Sequence, residues 1–245
     1  MPCAGLANRM RAMASAITVA AERKALLRIG WKYDYRALEA PFAALFDITR
    51  LPPNVEIIEM GATPDPAWNS SQECNSEEAW LAFDKEAPLL RFKSWAAFYG
   101  YSSQEWLTAL KSLKPHPTLE ARANSILLYP LLSIGVHIRR TDHKKSIMRS
   151  PSNLFWETMR QAHTVYFYIA SDSDEERKYA AHLFPKRILM HEDAVLERNS
   201  ITGCECAMVD FLCLSKCKYI IGSYGSSFSE IAALYGGISY FAIQT

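Results

Sequence analysis

Apolar and polar positions alternate most regularly in the C-terminal half of the chain, where short apolar runs are separated by segments with apolar residues on a helical period. Such runs predict strands and such segments predict helices. The predicted strands are residues 134–138, 165–170, 187–190, 219–222 and 238–242, and the predicted helices are residues 153–162, 174–183, 205–215 and 228–235. Strands joined by helices of about ten residues are typical of a parallel sheet covered on both faces. We therefore predict a Rossmann-like lobe at residues 118–245.

The N-terminal half has a less regular pattern, which predicts a second set of α and β elements. Their predicted order is helix 6–24, strand 25–31, helix 41–47, strand 54–60, polar loop 61–76, strand 89–92 and a serine-capped helix that ends near residue 113. The prolines of Lys114-Pro-His-Pro117 break that last helix, so we predict an N-terminal α/β lobe at residues 1–117. Because a strand normally precedes a glycine turn such as the one at the start, this lobe is expected to lack its first strand.

Charge balance and the length of the apolar runs narrow the class of protein. The chain has 27 basic and 26 acidic residues, a net charge of +1, which predicts no nucleic-acid partner. Its longest apolar runs are shorter than the roughly 20 residues that cross a bilayer, so we expect no membrane span in this chain. The start lacks the pattern of a signal peptide, and the single sequon Asn69-Ser70-Ser71 is a match that often arises by chance. The compartment therefore stays open.

Six cysteines raise the question of a metal site. The closest spacing, Cys204-x-Cys206 followed by Cys213-x-x-x-Cys217, lacks the paired Cys-x-x-Cys knuckles of structural zinc sites and lies in an apolar stretch with a helical pattern. Free cysteines are common in protein cores. We predict buried thiols and no metal.

The strand predicted at 134–138 runs into a cluster of ionisable side chains, Gly-Val-His-Ile-Arg-Arg-Thr-Asp at 135–142. His137 and Arg139 lie two residues apart, which places them on one face of the strand. Arginine forks bind phosphate oxygens in pairs and keep their charge, as a departing diphosphate requires. The segment therefore predicts a diphosphate site. The alternative is a structural ion pair between Asp142 and either Arg139 or Arg140.

A second motif, Gly-Ser-Tyr-Gly-Ser-Ser-Phe-Ser at 222–229, joins a predicted strand to a predicted helix. Backbone N–H groups and hydroxyls at a helix N-terminus bind anions, and glycines let a phosphate approach closely. Helix capping by serine is the alternative, although a cap needs one serine and this turn has four in seven residues.

Two carboxylates of the C-terminal half are further candidates. Asp172 follows the strand at 165–170 and is suited either to a ribose or sugar hydroxyl or to a helix N-cap. Asp210 lies within an apolar helical stretch, and burial of an unpaired carboxylate costs several kcal/mol, so it should have a specific partner. The donor groups of a guanine edge are one such partner.

The first turn of the chain carries the fourth motif, Cys-Ala-Gly-Leu-Ala-Asn-Arg at 3–9. A glycine turn that enters a helix with Asn8 and Arg9 adds anion-binding capacity. Solvated arginines on a helix face are the alternative, which we prefer for Arg11.

Together and in this order, the four motifs resemble the GDP-fucose-dependent fucosyltransferases, a superfamily that includes α1,6-fucosyltransferases, their nodulation relatives and protein O-fucosyltransferases. Residues 135–142 are similar to the α1,6-type motif, residues 226–229 to the phosphate loop of the O-fucosyl branch, and residues 5–9 to its N-terminal glycine-asparagine motif. Residues 35–115 are not matched. The resemblance implies an α/β fold of the GT-B type, with two Rossmann-like lobes and the donor site in the C-terminal lobe.

The resemblance also implies a reaction and a set of residues. The reaction is inverting, metal-independent transfer of fucose from GDP-fucose, the donor substrate, to a hydroxyl of a glycan or protein acceptor, with no cofactor. Arg139 would bind the β-phosphate, His137 and Asp210 would bind guanine, and Asn8 would lie near the transferred sugar. The implied catalytic residues are Asn8, Arg139, Arg140 and Asp142, and the implied donor-binding residues are Gly5, His137, Arg139, Asp172, Asp210, Ser226, Ser227, Phe228 and Ser229.

The catalytic base is the part of the reaction that the resemblance leaves open. The α1,6 enzymes have a lysine after the motif aspartate and a glutamate a few residues later, whereas this chain has His143 and Ile147. Asp142, an acid of the N-terminal lobe and a weak-base mechanism are the alternatives. Loss of the base would leave a non-catalytic nucleotide-sugar- or carbohydrate-binding domain. A transferase for another donor is a further alternative, although the chain lacks the Gly-x-x-x-x-Gly-Lys-Ser/Thr loop of P-loop kinases.

Overall fold

The computed structural model describes residues 1–33, 37–60, 71–163 and 165–245. They form two compact units, the first made of Met1–His116 with Arg198–Cys204 and the second of Pro117–Glu197 with Glu205–Thr245. Residues 198–204 join the first unit because the chain there is bonded to it: the Glu39 N–H donates to the Arg198 carbonyl (3.1 Å). Asn69 and Ser70 of the sequon, and most of the predicted loop 61–76, lie outside the described residues.

The first unit contains two short pairs of parallel strands and four helices among its described residues. In chain order the elements are α1 Leu6–Glu22, β1 Leu27–Lys32, α2 Phe42–Leu45, β2 Val55–Met60, β3 Gln72–Glu73, α3 Glu77–Leu81, β4 Phe92–Lys93 and α4 Gln104–Ser112. Strand β1 pairs with β2, and β3 pairs with β4. Ahead of α1, Pro2 forms a parallel bridge to Ser94.

Helix α1 lies at the centre of the first unit because its apolar residues recur on the helical period that the sequence shows. Leu6, Met10, Met13 and Ile17 are buried. Beside them, the Trp31 indole N–H donates to the Ala40 carbonyl (2.8 Å), which satisfies its polar group within the core.

The second unit alternates helices and strands, as the periodicity predicts. Its elements are α5 Pro117–Ile126, β5 Ser133–Ile138, α6 Lys144–Arg149, α7 Ser152–Gln161, β6 Tyr166–Ser171, α8 Asp174–Leu183, β7 Ile188–Leu189, α9 Ile201–Lys216, β8 Tyr219–Ser223, α10 Ser227–Gly236 and β9 Ser239–Ile243. Helices α5 and α6 were not predicted, and α9 begins at Ile201 rather than at residue 205. In α5 only Leu119 and Ala123 are buried, so its helical period is weak in the sequence.

The strands of the second unit form a five-stranded parallel sheet in the order β7-β6-β5-β8-β9. From β5 the chain proceeds outward through β6 and β7, and then returns to place β8 on the other side of β5. The direction of winding therefore reverses between β5 and β8. Open α/β sheets bind ligands at such a switch point, outside the carboxyl ends of the strands.

The two faces of this sheet are packed differently. On one face, Ile134, Val136 and Ile138 join an apolar core with Phe155 and Phe184. On the other face, glycines let two helices approach closely. A Cβ atom at Gly135 would lie 3.0 Å from the Leu214 side chain in α9, and one at Gly222 would lie 2.6 Å from the Ser229 hydroxyl in α10.

Candidate functional site

Arg139 is the first residue after β5, at the switch point of the sheet. Its backbone N–H donates to the Ser223 hydroxyl at the end of β8 (2.9 Å), which ties the ends of the two strands together. Its guanidinium forms ion pairs with Asp172 (2.9 Å) and with Asp142. The Asp172 side chain is only 12% exposed, whereas that of Asp142 is 58% exposed. The arginine is thus held from behind by one carboxylate and covered from the solvent side by the other.

Asp172, at the end of β6, organises the turn after β5. One of its oxygens accepts the Arg140 N–H (2.7 Å), and the other accepts the Thr141 hydroxyl (2.6 Å) and N–H (3.3 Å). Burial alone would raise the pKa of Asp172, but the Arg139 guanidinium and these hydrogen bonds outweigh it and lower the pKa. The N-cap of α8 is the neighbouring Ser173 rather than Asp172. Asp172 therefore supports Arg139 and the turn as an ionised carboxylate.

Arg140 lies next to Arg139 but has entirely different surroundings. Its guanidinium donates to Glu176 (2.9 Å), to the Ser152 hydroxyl (2.9 Å) and to the Ser150 carbonyl (2.8 Å), and its side chain is 13% exposed. A further N–H bonds the Arg139 carbonyl (2.8 Å). These contacts engage each nitrogen of the guanidinium. Arg140 thus joins β5 to α7 and α8 as a structural ion pair and hydrogen-bond centre.

The Gly/Ser turn after β8 lies on the other side of the switch point. Gly225 adopts a left-handed conformation (φ +67°), which favours glycine there. Ser226 is the N-cap of α10, but its side chain makes no capping hydrogen bond. Helix capping by serine, the alternative to anion binding, is therefore not what this residue does. The first N–H groups of an α-helix have no acceptor within the helix itself, and α10 is a ten-residue helix whose first turn can therefore donate to an anion.

Helix α6 holds this turn in place. The Ser146 hydroxyl donates to the Tyr224 carbonyl (2.7 Å), and the Tyr224 N–H donates to the Ser150 hydroxyl (2.8 Å). His143, the N-cap of α6, accepts the Ser146 N–H (3.2 Å). A Cβ atom at Gly225 would lie 3.6 Å from the His143 ring. Helix α6 and the residue that follows it thus connect the turn after β5 to the turn after β8 by hydrogen bonds.

His137 is the buried imidazole on the helix α10 side of β5. Its Nδ1 lies 3.2 Å from the Ser229 hydroxyl, and its ring packs against Phe228 with centroids 5.0 Å apart. Burial, and next the charge of Arg139, lower its pKa to about 4. The imidazole is therefore neutral near pH 7. Ser229 is fully buried, so it orients His137 rather than facing solvent.

Asp210 has a specific partner, as its buried setting requires. The Tyr168 hydroxyl in β6 donates to its Oδ1 (2.6 Å). Burial raises the pKa of Asp210 to about 6, against the hydrogen bond from Tyr168, which lowers it. The partner of this carboxylate is therefore a tyrosine of the five-stranded sheet.

Comparison with solved structures gives the fold family. A NodZ α1,6-fucosyltransferase co-crystallised with GDP matches with a TM-score of 0.64, 18% identity and coverage of 95% of this chain and 90% of that one. Fucosyltransferase NodZ from Bradyrhizobium matches with a TM-score of 0.66, 18% identity and coverage of 95% of this chain and 91% of that one. POFUT1 in complex with GDP matches with a TM-score of 0.60, 13% identity and coverage of 98% of this chain and 96% of that one. The chain has the GT-B fold of these fucosyltransferases. The predicted fold class is thereby confirmed. No family model and no curated protein sequence matches the chain.

In this GT-B chain, the motif at the start belongs to the first unit. Gly5 is the N-cap of α1 and Asn8 is half-buried in the first turn. Arg9 is buried, stacks on Trp31 (4.6 Å), and donates to the carbonyls of Ala4 (2.8 Å) and Lys32 (2.6 Å). It is therefore a structural residue and not a solvated one. Arg11, for which we preferred a solvated position, is half-buried and donates to the Trp95 carbonyl (3.1 Å).

In the described part of this GT-B chain, no three His, Cys, Asp or Glu side chains are grouped to hold a metal ion. Cys204, Cys206, Cys213 and Cys217 are buried, and burial raises the pKa of Cys213 to about 12. No helix among these residues is long and apolar enough to cross a membrane.

Several residues of the site could not be recognised from the sequence. Glu176, Ser150 and Ser152 hold Arg140, and Tyr168 holds Asp210. Each lies at least ten residues from the side chain that it contacts. The one available signal was the expectation that Asp210 has a partner, which gives a type of group but not its position.

Proposed function

We propose that the chain binds GDP-fucose and transfers fucose to a hydroxyl of a glycan or protein acceptor. The observation that carries the proposal is the position of Arg139 at the switch point of the sheet, where its backbone N–H is bonded to Ser223, the residue that begins the turn into α10. Two donor groups for one diphosphate are thus available at the usual ligand position of an α/β sheet. The likeness to fucosyltransferases crystallised with GDP and with GDP-fucose supports the choice of donor.

Arg139 acts on the leaving group in this proposal. As the bond between the fucose C1 and the β-phosphate oxygen breaks, negative charge accumulates on GDP, and a held guanidinium stabilises that charge without reorganising. Asp172 keeps the guanidinium in position from behind (2.9 Å). Ser226 and Ser227, at the start of α10, bind the phosphates with their N–H and hydroxyl groups. We assign no catalytic role to Arg140, because its guanidinium is bonded to Ser152 in α7 and to Glu176 in α8.

Asp142 is our candidate for the base. It forms an ion pair with Arg139, and a bound diphosphate would compete with it for the same guanidinium. The released carboxylate would then accept the proton of the acceptor hydroxyl as that oxygen bonds to C1 of fucose. The products are the fucosylated acceptor and GDP.

The nucleoside would bind beside β5 and α9. Phe228 and the neutral His137 offer an aromatic surface and a ring nitrogen, and the Asp210 carboxylate, whose Oδ1 accepts from Tyr168, would accept from the donor groups of guanine through its second oxygen. For Gly5 and Asn8, a role near the transferred sugar stays a prediction from the resemblance. The experiment for Asn8 is the rate of transfer by Asn8→Ala, which should fall while GDP affinity is kept.

The decisive experiment is isothermal titration calorimetry of the chain with GDP, GDP-fucose, UDP and ADP, each in EDTA. Selective binding of GDP and GDP-fucose supports the donor assignment and a metal-independent site. Release of GDP from GDP-fucose in the presence of glycan and peptide acceptors then tests transfer. Binding without release would make the chain a nucleotide-sugar-binding domain, and absence of GDP binding would overturn the proposal.

A further inference from the structure

A short apolar loop protrudes from the second unit just before β5. It consists of residues 127–132, Leu-Leu-Tyr-Pro-Leu-Leu, and we call it the 127–132 loop. Leu128 is 61% exposed, Leu131 80% and Leu132 57%, and Tyr129 between them is also exposed. Isolated exposed leucines are ordinary on protein surfaces, but four neighbouring large apolar side chains form a contiguous patch that calls for a partner.

The loop is held in a defined shape, so this exposure is not a consequence of disorder in a loose segment. Residues Pro130–Leu132 form a 3₁₀ turn, and the Leu132 N–H donates to the Tyr129 carbonyl (3.1 Å). The Ser133 hydroxyl donates to the same carbonyl (2.7 Å). The Tyr129 ring stacks on Tyr166 at the start of β6, with centroids 4.8 Å apart. The fold therefore presents the leucines outward on a rigid base.

Basic residues flank the loop on both sides. The backbone N–H of Lys218, just before β8, donates to the Ser133 carbonyl (2.9 Å), and Lys218 is exposed. On the β6 side, the Arg187 carbonyl accepts the Phe167 N–H (2.8 Å), which places the exposed Lys186 near the start of β6. The Arg187 guanidinium itself is bonded to the Val165 carbonyl (3.0 Å) and to the Ala162 carbonyl, so Lys186 supplies the charge on this side. None of the segments that lead into the five strands contains a carboxylate: 127–132, 162–165, 184–187, 217–218 and 237–238. Glu120, in α5 before the loop, pairs with Lys216 (3.7 Å).

The loop also lies away from the proposed donor site. Because the strands of the sheet are parallel, the loop before β5 is at their amino ends, whereas Arg139 and the start of α10 are at their carboxyl ends. A partner bound at the loop would leave the carboxyl ends of the strands open to a nucleotide.

We propose that the 127–132 loop docks the second unit on an anionic lipid surface. The leucines would enter the boundary between headgroups and acyl chains, and Lys186 and Lys218 would contact anionic headgroups. An exposed apolar loop with a lysine on each side suits a flat interface that accepts apolar side chains and attracts positive charge. The proposal does not depend on the donor or the reaction.

The test is co-sedimentation of the whole chain with vesicles of phosphatidylcholine alone and of phosphatidylcholine mixed with phosphatidylserine. Binding is expected to the mixed vesicles and to be weakened by salt. The double substitution Leu131→Ser and Leu132→Ser should lower the partition coefficient at least about tenfold. Lys186→Gln and Lys218→Gln should each lower it about fivefold. The matched controls are Leu81→Ser, at an exposed leucine of α3, and Lys111→Gln, at an exposed lysine of α4, which should bind like the wild type.

Three results would overturn the proposal: no binding to mixed vesicles, equal binding by the double variant, or binding that Leu81→Ser weakens as much. Concentration-dependent dimerisation that the double variant abolishes, in the absence of vesicle binding, would assign the patch to a second copy of the chain and would equally overturn it. Unchanged thermal unfolding of each variant shows that it is folded. Unchanged GDP titration separates this test from that of the donor site.

Discussion

The carboxyl and amino ends of the strands in the five-stranded sheet are built in opposite ways. At the carboxyl ends, charged side chains are enclosed and paired: Arg139 with Asp172, and Arg140 with Glu176. At the amino ends, the 127–132 loop leaves Leu128, Leu131 and Leu132 exposed to solvent and is fixed mainly by backbone hydrogen bonds and one ring stack. Stability at the carboxyl ends should therefore depend on keeping charges paired, whereas the side chains at the amino ends should contribute little to folding.

The largest effect is expected for Arg140→Ala. It leaves the Glu176 carboxylate, 15% exposed, without its ionic partner, so the free energy of unfolding should fall by about 3–5 kcal/mol. Urea denaturation measures this. The double variant Arg140→Ala with Glu176→Gln should recover part of the loss, because it removes the unpaired charge. A decrease in the free energy of unfolding below about 1 kcal/mol would show that the Arg140–Glu176 ion pair contributes no more than an exposed pair.

Arg139→Ala separates the two arginines by function. Turnover, measured as GDP release, should fall by a factor of about 10² or more, as expected for loss of a donor that acts on the developing charge. Stability should fall less than for Arg140→Ala, since Asp172 keeps the hydrogen bonds from Arg140 and Thr141. The control Arg139→Lys keeps the charge but not the fork and should retain intermediate activity. A near-normal rate for Arg139→Ala would remove its proposed role.

The buried carboxyl of Asp210 predicts a pH dependence of stability. Its pKa rises from 3.8 to about 6 on folding, so the folded state favours the protonated form. The stabilisation that this protonation provides is present below pH 4 and is lost as pH rises through 6. Relative to Asp210→Asn, the wild type should therefore lose roughly 3 kcal/mol of unfolding free energy over that range, and the difference should be constant above it.

The matched variant for this titration is Tyr168→Phe. Because it removes the hydrogen bond that stabilises the carboxylate, the midpoint of the pH-dependent loss should move upward. Urea unfolding across the pH series, with the same three proteins, provides both measurements. A difference between wild type and Asp210→Asn that does not change with pH would contradict the raised pKa.

The smallest effect on folding stability is expected in the 127–132 loop, at the amino ends of the strands. Leu131→Ser should change the free energy of unfolding by less than about 0.5 kcal/mol, because an 80% exposed side chain loses little packing. The comparison variant is Leu214→Ala in α9, whose side chain is fully buried and should cost about 2–5 kcal/mol. Similar losses for the two leucines would mean that the loop is packed in solution.

The elements of the second unit were largely predictable because hydrophobic periodicity is a local property. Helix α8 was predicted at residues 174–183, where it lies, and strands β5, β6 and β8 were predicted to within one residue at each end. Helix α5 was not predicted because few of its side chains are buried. The order of the strands was beyond this reasoning, since a strand's period of two carries no information about its neighbours.

In the candidate site, too, only part could be predicted from the sequence. Arg139 and Arg140 are adjacent residues of the same type, and the resemblance implied a catalytic role for both. The structure distinguishes them because successive side chains leave opposite faces of an extended backbone: one reaches the switch point and the other reaches α7 and α8. Similarly, the need of Asp210 for a partner followed from its apolar neighbours, but the identity of that partner as Tyr168 did not.

The sequence by itself determined the α/β class, most helices and strands of the second unit, and the motifs from which a phosphate-binding site is made. These properties follow from local periodicity and from the chemistry of side chains. Only the tertiary structure decided the strand order, the partners of each buried charge and the exposure of the 127–132 loop, because each depends on contacts between residues far apart in the chain.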